Sequence, residues 1–367
     1  MTTLSERAGL AGDPHPRTGP DAGVLRPRAT MREVAALAGV SLKTVSRVVN
    51  REAGVSSDLV ARVERAALQL DYRPNLTASN LRRADHRTAT IGLLIEDVAN
   101  PYFAHMHRGV EESALVHGVQ VISASLDEDP VRERQLVESF AARRVDGLVL
   151  APTAGEHGYL LAEMRAGLPI VFVDRPPRGV EADVVLTDNR EATEQAVQGL
   201  IRHGHRRIAF LGGVADLHTT QDRLQGYRDA MSGAGLATPP ELVILDVRSV
   251  AEAQARVGSL LSTENAPTAI FTGQNLISIG AVRALRERDL QSVIAMVGFD
   301  DFEFADIFHT GISVVAQDPR EQGRVAADLL FARMADPGRP TGITVVPSHF
   351  IVRGSGELPP RSVPPAA

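Results

Sequence analysis

A short run of polar and basic side chains near the N-terminus has the composition of a DNA-reading surface. Residues 41–50 place serine, threonine, lysine, arginine and asparagine between three valines. At helical spacing the valines share one side and the polar residues are left on the other. An outward Arg47 could donate two hydrogen bonds to guanine O6 and N7, and Lys43 could do so more loosely.

The other outward side chains suit further DNA contacts. Leu42 can meet the methyl group of a thymine, and the hydroxyls of this stretch can bind phosphate oxygens, which fix register without reading sequence. We predict that this surface comprises Ser41, Leu42, Lys43, Thr44, Ser46, Arg47 and Asn50. On spacing alone, a solvated amphipathic helix that touches no DNA is an equally good interpretation.

Two short helices are predicted to position this surface. Thr30 and Glu33 form a capping-box pattern, so a helix should begin at Met31, with an apolar face of Val34, Leu37 and Ala38. Gly39 should end it, because a turn with positive φ is cheapest on glycine. Ser41 can then cap a second helix over 42–49, with Val45, Val48 and Val49 pointing inward. The arrangement predicts a helix-turn-helix.

A third amphipathic helix, from Ser57 to Leu70, is expected to close the core of this small domain through Val60, Val63, Ala67 and Leu70. Pro74 should end the helical region, since a residue that precedes proline avoids the α conformation.

The run from Met31 to Asn50 resembles the DNA-binding headpiece of the lactose repressor (LacI) family. The match continues through Val55-Ser56, Tyr72-Arg73-Pro74-Asn75, Ala78 and Leu81. The resemblance implies that Leu42 and Lys43 contribute much of the base choice and that Arg47 is the reader arginine.

The resemblance also implies a hinge helix over 76–83 that orders on operator DNA and pairs with its dimer mate. Asn75 would cap it, Ala78 would allow close packing, and Leu81 would wedge into the minor groove. The predicted DNA-contacting set therefore also includes Tyr72, Asn75, Ala78, Leu81 and Arg82.

Charge is distributed unevenly along the 367 residues. Residues 28–87 carry eleven basic and six acidic side chains, a net charge of +5, whereas residues 88–367 carry −11. A basic end on an acidic body indicates that DNA binding is confined to one end.

Composition excludes several other classes. There is no cysteine, so disulfides, thiolate metal sites and cysteine nucleophiles are impossible. No apolar run has the roughly 18 residues that a membrane helix needs. Residues 1–29 lack the apolar segment of a secretory signal, so we expect a disordered tail and a cytoplasmic protein.

From residue 90 onward, short apolar runs alternate with amphipathic stretches, which is typical of parallel sheets built from βαβ units. The segment is too long for one lobe, so we expect two doubly wound lobes with a ligand cleft at the carboxyl ends of their strands. The expected strands are 91–95, 119–124, 147–150, 170–173, 184–186, 208–211, 242–245, 269–271, 294–297 and 312–315.

This region is similar to the core of the LacI family, which itself resembles periplasmic sugar-binding proteins. The matching segments are Ile91–Ile95 with Asn100–Phe103, Val173–Arg175, His203–Ile208, Arg223–Tyr227 and Gly298–Asp301. The resemblance implies that the last strands rejoin earlier sheets, because the family's chain passes between its lobes three times. It also implies an effector pocket formed by Tyr102, Phe103, Arg175, Arg223, Phe271, Gln274 and Asp300.

One departure concerns the pair Gln274-Asn275, where family members usually carry Asn-Asp. Asn275 can still cap a helix, but a carboxylate is lost, which leaves the effector class open. A sugar or sugar derivative is the expected effector, acting as either inducer or corepressor.

We therefore predict an all-α headpiece on a two-lobed α/β core. The expected segments are a disordered tail over 1–29, a headpiece over 30–74, a hinge over 75–87, a core over 88–355 and a flexible tail over 356–367. The predicted function is a homodimeric repressor of palindromic operators, with no cofactor and no metal. A sugar sensor without specific DNA binding, or a regulator controlled by a corepressor or phosphoprotein, are the alternatives. The scattered histidines show neither zinc spacing nor a catalytic arrangement, so an enzyme is not expected.

Overall fold

The computed structural model describes residues 29–50, 52, 54–73 and 87–361. The chain divides into two compact units, residues 1–86 and residues 87–367. This border falls within the segment that was expected to link headpiece and core.

The N-terminal unit contains three helices in its described part: α1 (Met31–Ala38), α2 (Leu42–Val49) and α3 (Ser57–Gln69). The predicted capping box is present, since the Thr30 hydroxyl accepts from the Glu33 N–H while the Glu33 carboxylate accepts from the Thr30 N–H. Gly39 ends α1 with φ of +62°, a left-handed conformation that glycine adopts without strain.

A small apolar core joins these helices. Val34, Ala35 and Ala38 of α1 meet Val45 of α2, with Val63 and Ala66 of α3 completing the cluster. The inward orientation of the α2 valines is confirmed, with Val48 and Val49 half-buried against this core. The expectation for Leu37 is wrong: it is 46% exposed, because the smaller Ala35 takes the inward position on this short helix.

The first lobe of the C-terminal unit is a six-stranded, all-parallel sheet in the order β11-β5-β4-β3-β1-β2. Its strands are β1 (Thr90–Ile95), β2 (Gln120–Ser125), β3 (Leu148–Leu150), β4 (Ile170–Val173), β5 (Asp183–Leu186) and β11 (Ile343–Val345). Its helices are α4 (Pro101–Val116), α5 (Pro130–Ala142), α6 (Leu160–Arg165) and α11 (Pro319–Ala335). Apolar side chains fill both faces of the sheet.

The second lobe repeats this plan in the order β12-β10-β9-β8-β6-β7, with only the edge strand β12 antiparallel among the described pairings. Its strands are β6 (Ile208–Leu211), β7 (Val243–Ile244), β8 (Ala269–Thr272), β9 (Ala295–Phe299), β10 (Ser313–Ala316) and β12 (His349–Ile351). Its helices are α7 (Asn189–Arg202), α8 (His218–Gly233), α9 (Val250–Leu261) and α10 (Asn275–Glu287).

The chain crosses between the lobes three times, as predicted. It leaves the first lobe after β5, returns after β10, and leaves again after β11, which pairs with β5 before β12 pairs with β10. Two of these crossings are tied together, since the Thr187 hydroxyl donates to the Val346 carbonyl and the Ser348 N–H donates to Asp188.

The packed core extends beyond the predicted boundary at residue 355. Gly356 is buried, and the Leu358 carbonyl lies 2.8 Å from Nε2 of the buried His205. A flexible tail therefore does not begin at residue 356. Across the described residues, no helix is both long and apolar enough to span a membrane.

Candidate functional site

Most of the polar side chains of α2 that were predicted to contact DNA are exposed or half-buried. Leu42 is 44% exposed, Lys43 and Asn50 are exposed, and Arg47 is half-buried. The Arg47 guanidinium does not extend freely, because its Nε lies 3.4 Å from Oε2 of Glu52.

The hydroxyls at the start of α2 are partly committed to the helix itself. The Ser41 hydroxyl accepts from the Thr44 N–H at 3.1 Å and lies 2.9 Å from the Thr44 hydroxyl. Ser46 is engaged by the Asn50 side chain at 3.4 Å. Phosphate contacts by these residues stay a prediction, and they would have to share the hydroxyls with these bonds.

Tyr72 lies half-buried against the headpiece core, with its N–H donating to the Ala67 carbonyl. The remaining predicted DNA contacts, Asn75, Ala78, Leu81 and Arg82, are outside the described residues, as is the rest of the predicted hinge helix.

In the C-terminal unit, one aspartate follows the end of a central strand in each lobe. Asp174 follows β4 and Asp300 follows β9, with φ of +70° and +67°. Each N–H donates to the neighbouring strand, Asp174 to the Val185 carbonyl and Asp300 to the Val315 carbonyl. These left-handed residues turn the chain at the sheet edge and direct both carboxyl groups into the cleft between the lobes.

The first-lobe wall holds Arg175 among three carboxylates. Its Nε lies 3.0 Å from Asp174, its Nη1 2.7 Å from Glu128 and its Nη2 3.7 Å from Glu96. Arg175 is buried, and each nitrogen of its guanidinium faces a carboxylate of the first lobe. Burial raises the pKa of Glu96 to about 7, while Arg175 opposes that shift and the neighbouring carboxylates add to it.

The second-lobe wall holds Arg223 on mostly neutral groups. Its Nε donates to the Asn189 side chain at 2.7 Å, and its Nη1 donates to the Gly273 carbonyl at 2.6 Å. Asp300 is farther away, at 3.9 Å, and the Phe299 ring lies under the guanidinium at 3.7 Å. Burial raises the pKa of Asp300, although Arg223 opposes the shift.

The motif that carries Arg223 has a packing explanation. Gly226 allows α8 to approach α7, since a Cβ there would stand 2.2 Å from the Arg190 carbonyl oxygen. The buried Tyr227 hydroxyl donates to the Ile208 carbonyl on β6 at 2.8 Å. The sequence therefore fixes α8 against the sheet and holds Arg223 at the cleft.

A chain of buried side chains connects the two walls. The Tyr102 hydroxyl lies 2.7 Å from Gln322 Oε1 and 3.0 Å from Asp174, Gln322 donates to Gln317 at 2.9 Å, and Gln317 donates to Asp300 at 2.6 Å. Because Gln317 lies on the second crossing between the lobes, a change of lobe angle must rearrange this chain.

A second bond spans the lobes at the Gln274-Asn275 departure. Gln274 occupies the N-cap position of α10 without a side-chain capping bond, so Asn275 is the first helical residue and not the cap that was predicted. The buried Asn275 side chain instead donates to Asn100 of the first lobe at 2.8 Å. Asn100 also caps α4, since its Oδ1 accepts from the Tyr102 N–H.

Six of the seven predicted effector residues line this cleft: Tyr102, Phe103, Arg175, Arg223, Gln274 and Asp300. The prediction for Phe271 is wrong. Its side chain is fully buried in the second-lobe core, stacked on Phe210 with ring centroids 6.0 Å apart.

Sequence reasoning missed several lining residues, namely Glu96, Asn100, Asp174, Leu217, Thr219, Thr220, Gly273, Asn275 and Gln317. Their positions directly after a strand, or in the first turn of the following helix, were the available signal. The cleft has a volume of about 30 Å³. That is room for about two water molecules, so its own side chains nearly fill it.

The chain matches two family models, one within each of its two compact units. Residues 30–75 match the model of bacterial regulatory proteins of the lacI family, and residues 88–351 match the model of periplasmic binding proteins and the sugar-binding domain of the LacI family.

Individual proteins give the same result. The ribose operon repressor of Escherichia coli strain K12 is 34% identical over 312 residues, covering 84% of this chain and 94% of that protein. A solved complex of the transcriptional regulator CelR with cellobiose is 32% identical, with a TM-score of 0.66, and covers 89% of this chain and all of that one. The lac repressor dimer bound to operator and an anti-inducer, at 24% identity and a TM-score of 0.79 over 90% of this chain and 99% of that one, supports the fold. The chain belongs to the LacI family, whose members are DNA-binding transcriptional regulators and not enzymes.

Proposed function

We propose that the protein is a homodimeric repressor whose affinity for a palindromic operator is set by a small polyhydroxylated molecule without net negative charge. The observation that carries the effector class is the state of the two cleft arginines. Arg175 is already neutralised by carboxylates, and Arg223 is already bonded to Asn189 and Gly273.

A negatively charged effector would gain little in this cleft. Glu96, Glu128, Asp174 and Asp300 outnumber Arg175 and Arg223, so the walls carry an excess of negative charge when all are ionised. A sugar phosphate or sugar acid would have to displace a carboxylate from Arg175 or place its charge beside Asp300 at Arg223, and either is costly in a buried site. Hydroxyl groups, in contrast, can donate to the carboxylates without adding charge.

The names of similar proteins agree with this class. One curated relative is a ribose operon repressor, and CelR has been solved in complex with cellobiose. Assembly on operator DNA as a dimer is proposed from the solved lac repressor complex, and a cytoplasmic location follows from a role on DNA.

The mechanism follows from the size of the cleft. A volume of about 30 Å³ is too small for a monosaccharide, so binding requires the lobes to separate or the lining side chains to move. Separation of the lobes would break bonds that reach across the cleft, such as Asn275 to Asn100 and Gln322 to Gln317. A ligand that prefers one lobe arrangement shifts the equilibrium toward it, and a hundredfold preference corresponds to about 2.7 kcal/mol of coupling.

A matched ligand series tests the proposal on full-length protein. Ribose, glucose and glucosamine are compared with ribose 5-phosphate, glucose 6-phosphate and gluconate by thermal shift and by release of operator DNA. We expect the binders to be found among the uncharged or amino-bearing sugars. Asp300→Asn should lose this response and still bind operator. Tighter binding of a phosphate or acid than of its parent sugar would contradict the proposed class.

A further inference from the structure

The loop after the recognition helix α2 contains an acidic residue in an unexpected place. Glu52 is the only acidic residue in 41–56, the segment that would face the DNA. A carboxylate on such a surface repels phosphate, so it weakens DNA binding unless it has another role.

Glu52 contacts the reader arginine directly. Its Oε2 lies 3.4 Å from Nε of Arg47, with the two side chains 51% and 37% exposed. Its own N–H donates to the Arg47 carbonyl at 2.9 Å, which anchors the loop to the helix end. A Cβ placed on Gly54 would stand 3.4 Å from Arg47 Nη2, so the guanidinium lies close to the loop backbone.

We propose that Glu52 is a positioning residue that raises the sequence selectivity of Arg47. This inference rests on the proposed DNA-binding function. On operator DNA the carboxylate would hold the Nε side of the guanidinium and leave its terminal nitrogens to bond the base edge. At the correct guanine, Arg47 keeps its contact with Glu52 and adds hydrogen bonds to the base.

On unrelated DNA the balance is different. Arg47 gains most there by swinging to a phosphate, but that movement leaves Glu52 unpaired beside the polyanion. The pair therefore penalises nonspecific binding more than operator binding. A surface ion pair adds little to folding stability. We therefore expect the Arg47–Glu52 pair to affect mainly the discrimination between DNA sequences.

The test uses full-length protein carrying Glu52→Gln, an exposed and nearly isosteric change. We expect nonspecific duplex to bind about threefold to tenfold more tightly. The nonspecific salt dependence should steepen by about 0.9 in slope, the value for one added phosphate contact. Operator affinity should change less than nonspecific affinity, so the selectivity ratio falls. Glu52→Asp keeps the negative charge and should therefore retain part of the selectivity ratio that Glu52→Gln loses.

Two further variants separate positioning from charge. Glu64→Gln removes the same charge from the exposed face of α3 and should leave the selectivity ratio unchanged. In an Arg47→Gln background, Glu52→Gln should keep only the effect of direct charge repulsion, so its effect on nonspecific binding should be smaller. The proposal is overturned if both glutamate variants tighten nonspecific binding equally, if operator and nonspecific DNA tighten equally, or if the effect of Glu52→Gln is undiminished without Arg47. If no operator is selected at all, the proposed function fails; if an operator is selected and the selectivity ratio does not fall in Glu52→Gln, only the role of Glu52 fails.

Discussion

The two walls of the cleft each hold one buried arginine beside one strand-end aspartate, but they neutralise it differently. Arg175 of the first lobe is surrounded by the carboxylates of Asp174, Glu128 and Glu96. Arg223 of the second lobe is held by an amide, a carbonyl and the face of Phe299, with Asp300 at 3.9 Å.

This difference shows that similar residue types can produce walls of different chemistry. The first wall has an excess of acceptors and of negative charge, so its stability depends on one arginine. The second wall uses neutral partners, so its guanidinium is oriented with a smaller electrostatic contribution. We expect the stability of the first wall to depend on pH and on the charge of its side chains. We expect the stability of the second wall to depend on the shape of its side chains.

Removal of each arginine gives the largest contrast. Arg175→Met leaves three buried or partly buried carboxylates without their cation, and we expect the free energy of unfolding to fall by about 3–5 kcal/mol. Arg223→Met removes hydrogen bonds to neutral groups and should cost about 1–3 kcal/mol. Denaturant unfolding measures both, with the exposed Arg324→Met as control. Equal losses at the two walls would refute the contrast.

The pH dependence of Glu96 should be the next largest effect. Its pKa rises from 4.5 to about 7 on folding, so the folded state holds a proton that the unfolded state releases between these values. Stability should therefore be complete below pH 4.5 and decline as the pH rises through about 7, by about 1–3 kcal/mol. Glu96→Gln should flatten unfolding free energies between pH 5 and 8. An unchanged slope would mean that Glu96 is not the titrating group.

A pair of phenylalanine variants separates wall from core in the second lobe. Phe299→Leu and Phe271→Leu should each lower the free energy of unfolding by about 1–1.5 kcal/mol, since both rings are buried. Only Phe299 supports Arg223, so only Phe299→Leu should weaken effector binding in a titration. A larger binding defect for Phe271→Leu would restore the original prediction that its ring belongs to the pocket.

The hydroxyl of Tyr102 should give the smallest effect on stability. Tyr102→Phe and Tyr227→Phe each remove one buried hydroxyl and should cost about 1 kcal/mol. Tyr227 bonds within its own lobe, whereas Tyr102 contributes to the chain that reaches Asp300. Calorimetric titration should therefore show altered effector affinity for Tyr102→Phe alone. Equal affinities for the two variants would contradict a role of this chain in linking the lobes.

The positions of the main elements could be predicted from the sequence because local signals agree with packing there. The capping box at Thr30, the glycine at residue 39 and the cap at Ser41 each define a helix end through short-range bonds. The three crossings were predicted only because the core resembles a known family, since pairing of β11 with β5 joins residues about 160 positions apart.

The wrong and missing predictions concern side chains whose direction a local sequence pattern does not specify. Phe271 lies in a strand buried on both faces, so alternation could not show which face each side chain takes. The partners of Arg175 were also missed, because Glu96 and Glu128 reach it from the ends of two other strands. Such contacts depend on strand order, which the spacing of charged residues does not reveal.

The most direct test of the account is selection of bound duplexes from a random DNA library by full-length protein, with Arg47→Ala in parallel. We expect wild-type protein to enrich a palindrome and the variant to enrich none while keeping an intact core by thermal unfolding. Failure of well-folded wild-type protein to enrich any site over a range of salt concentrations, with and without sugars, would contradict the proposed repressor function.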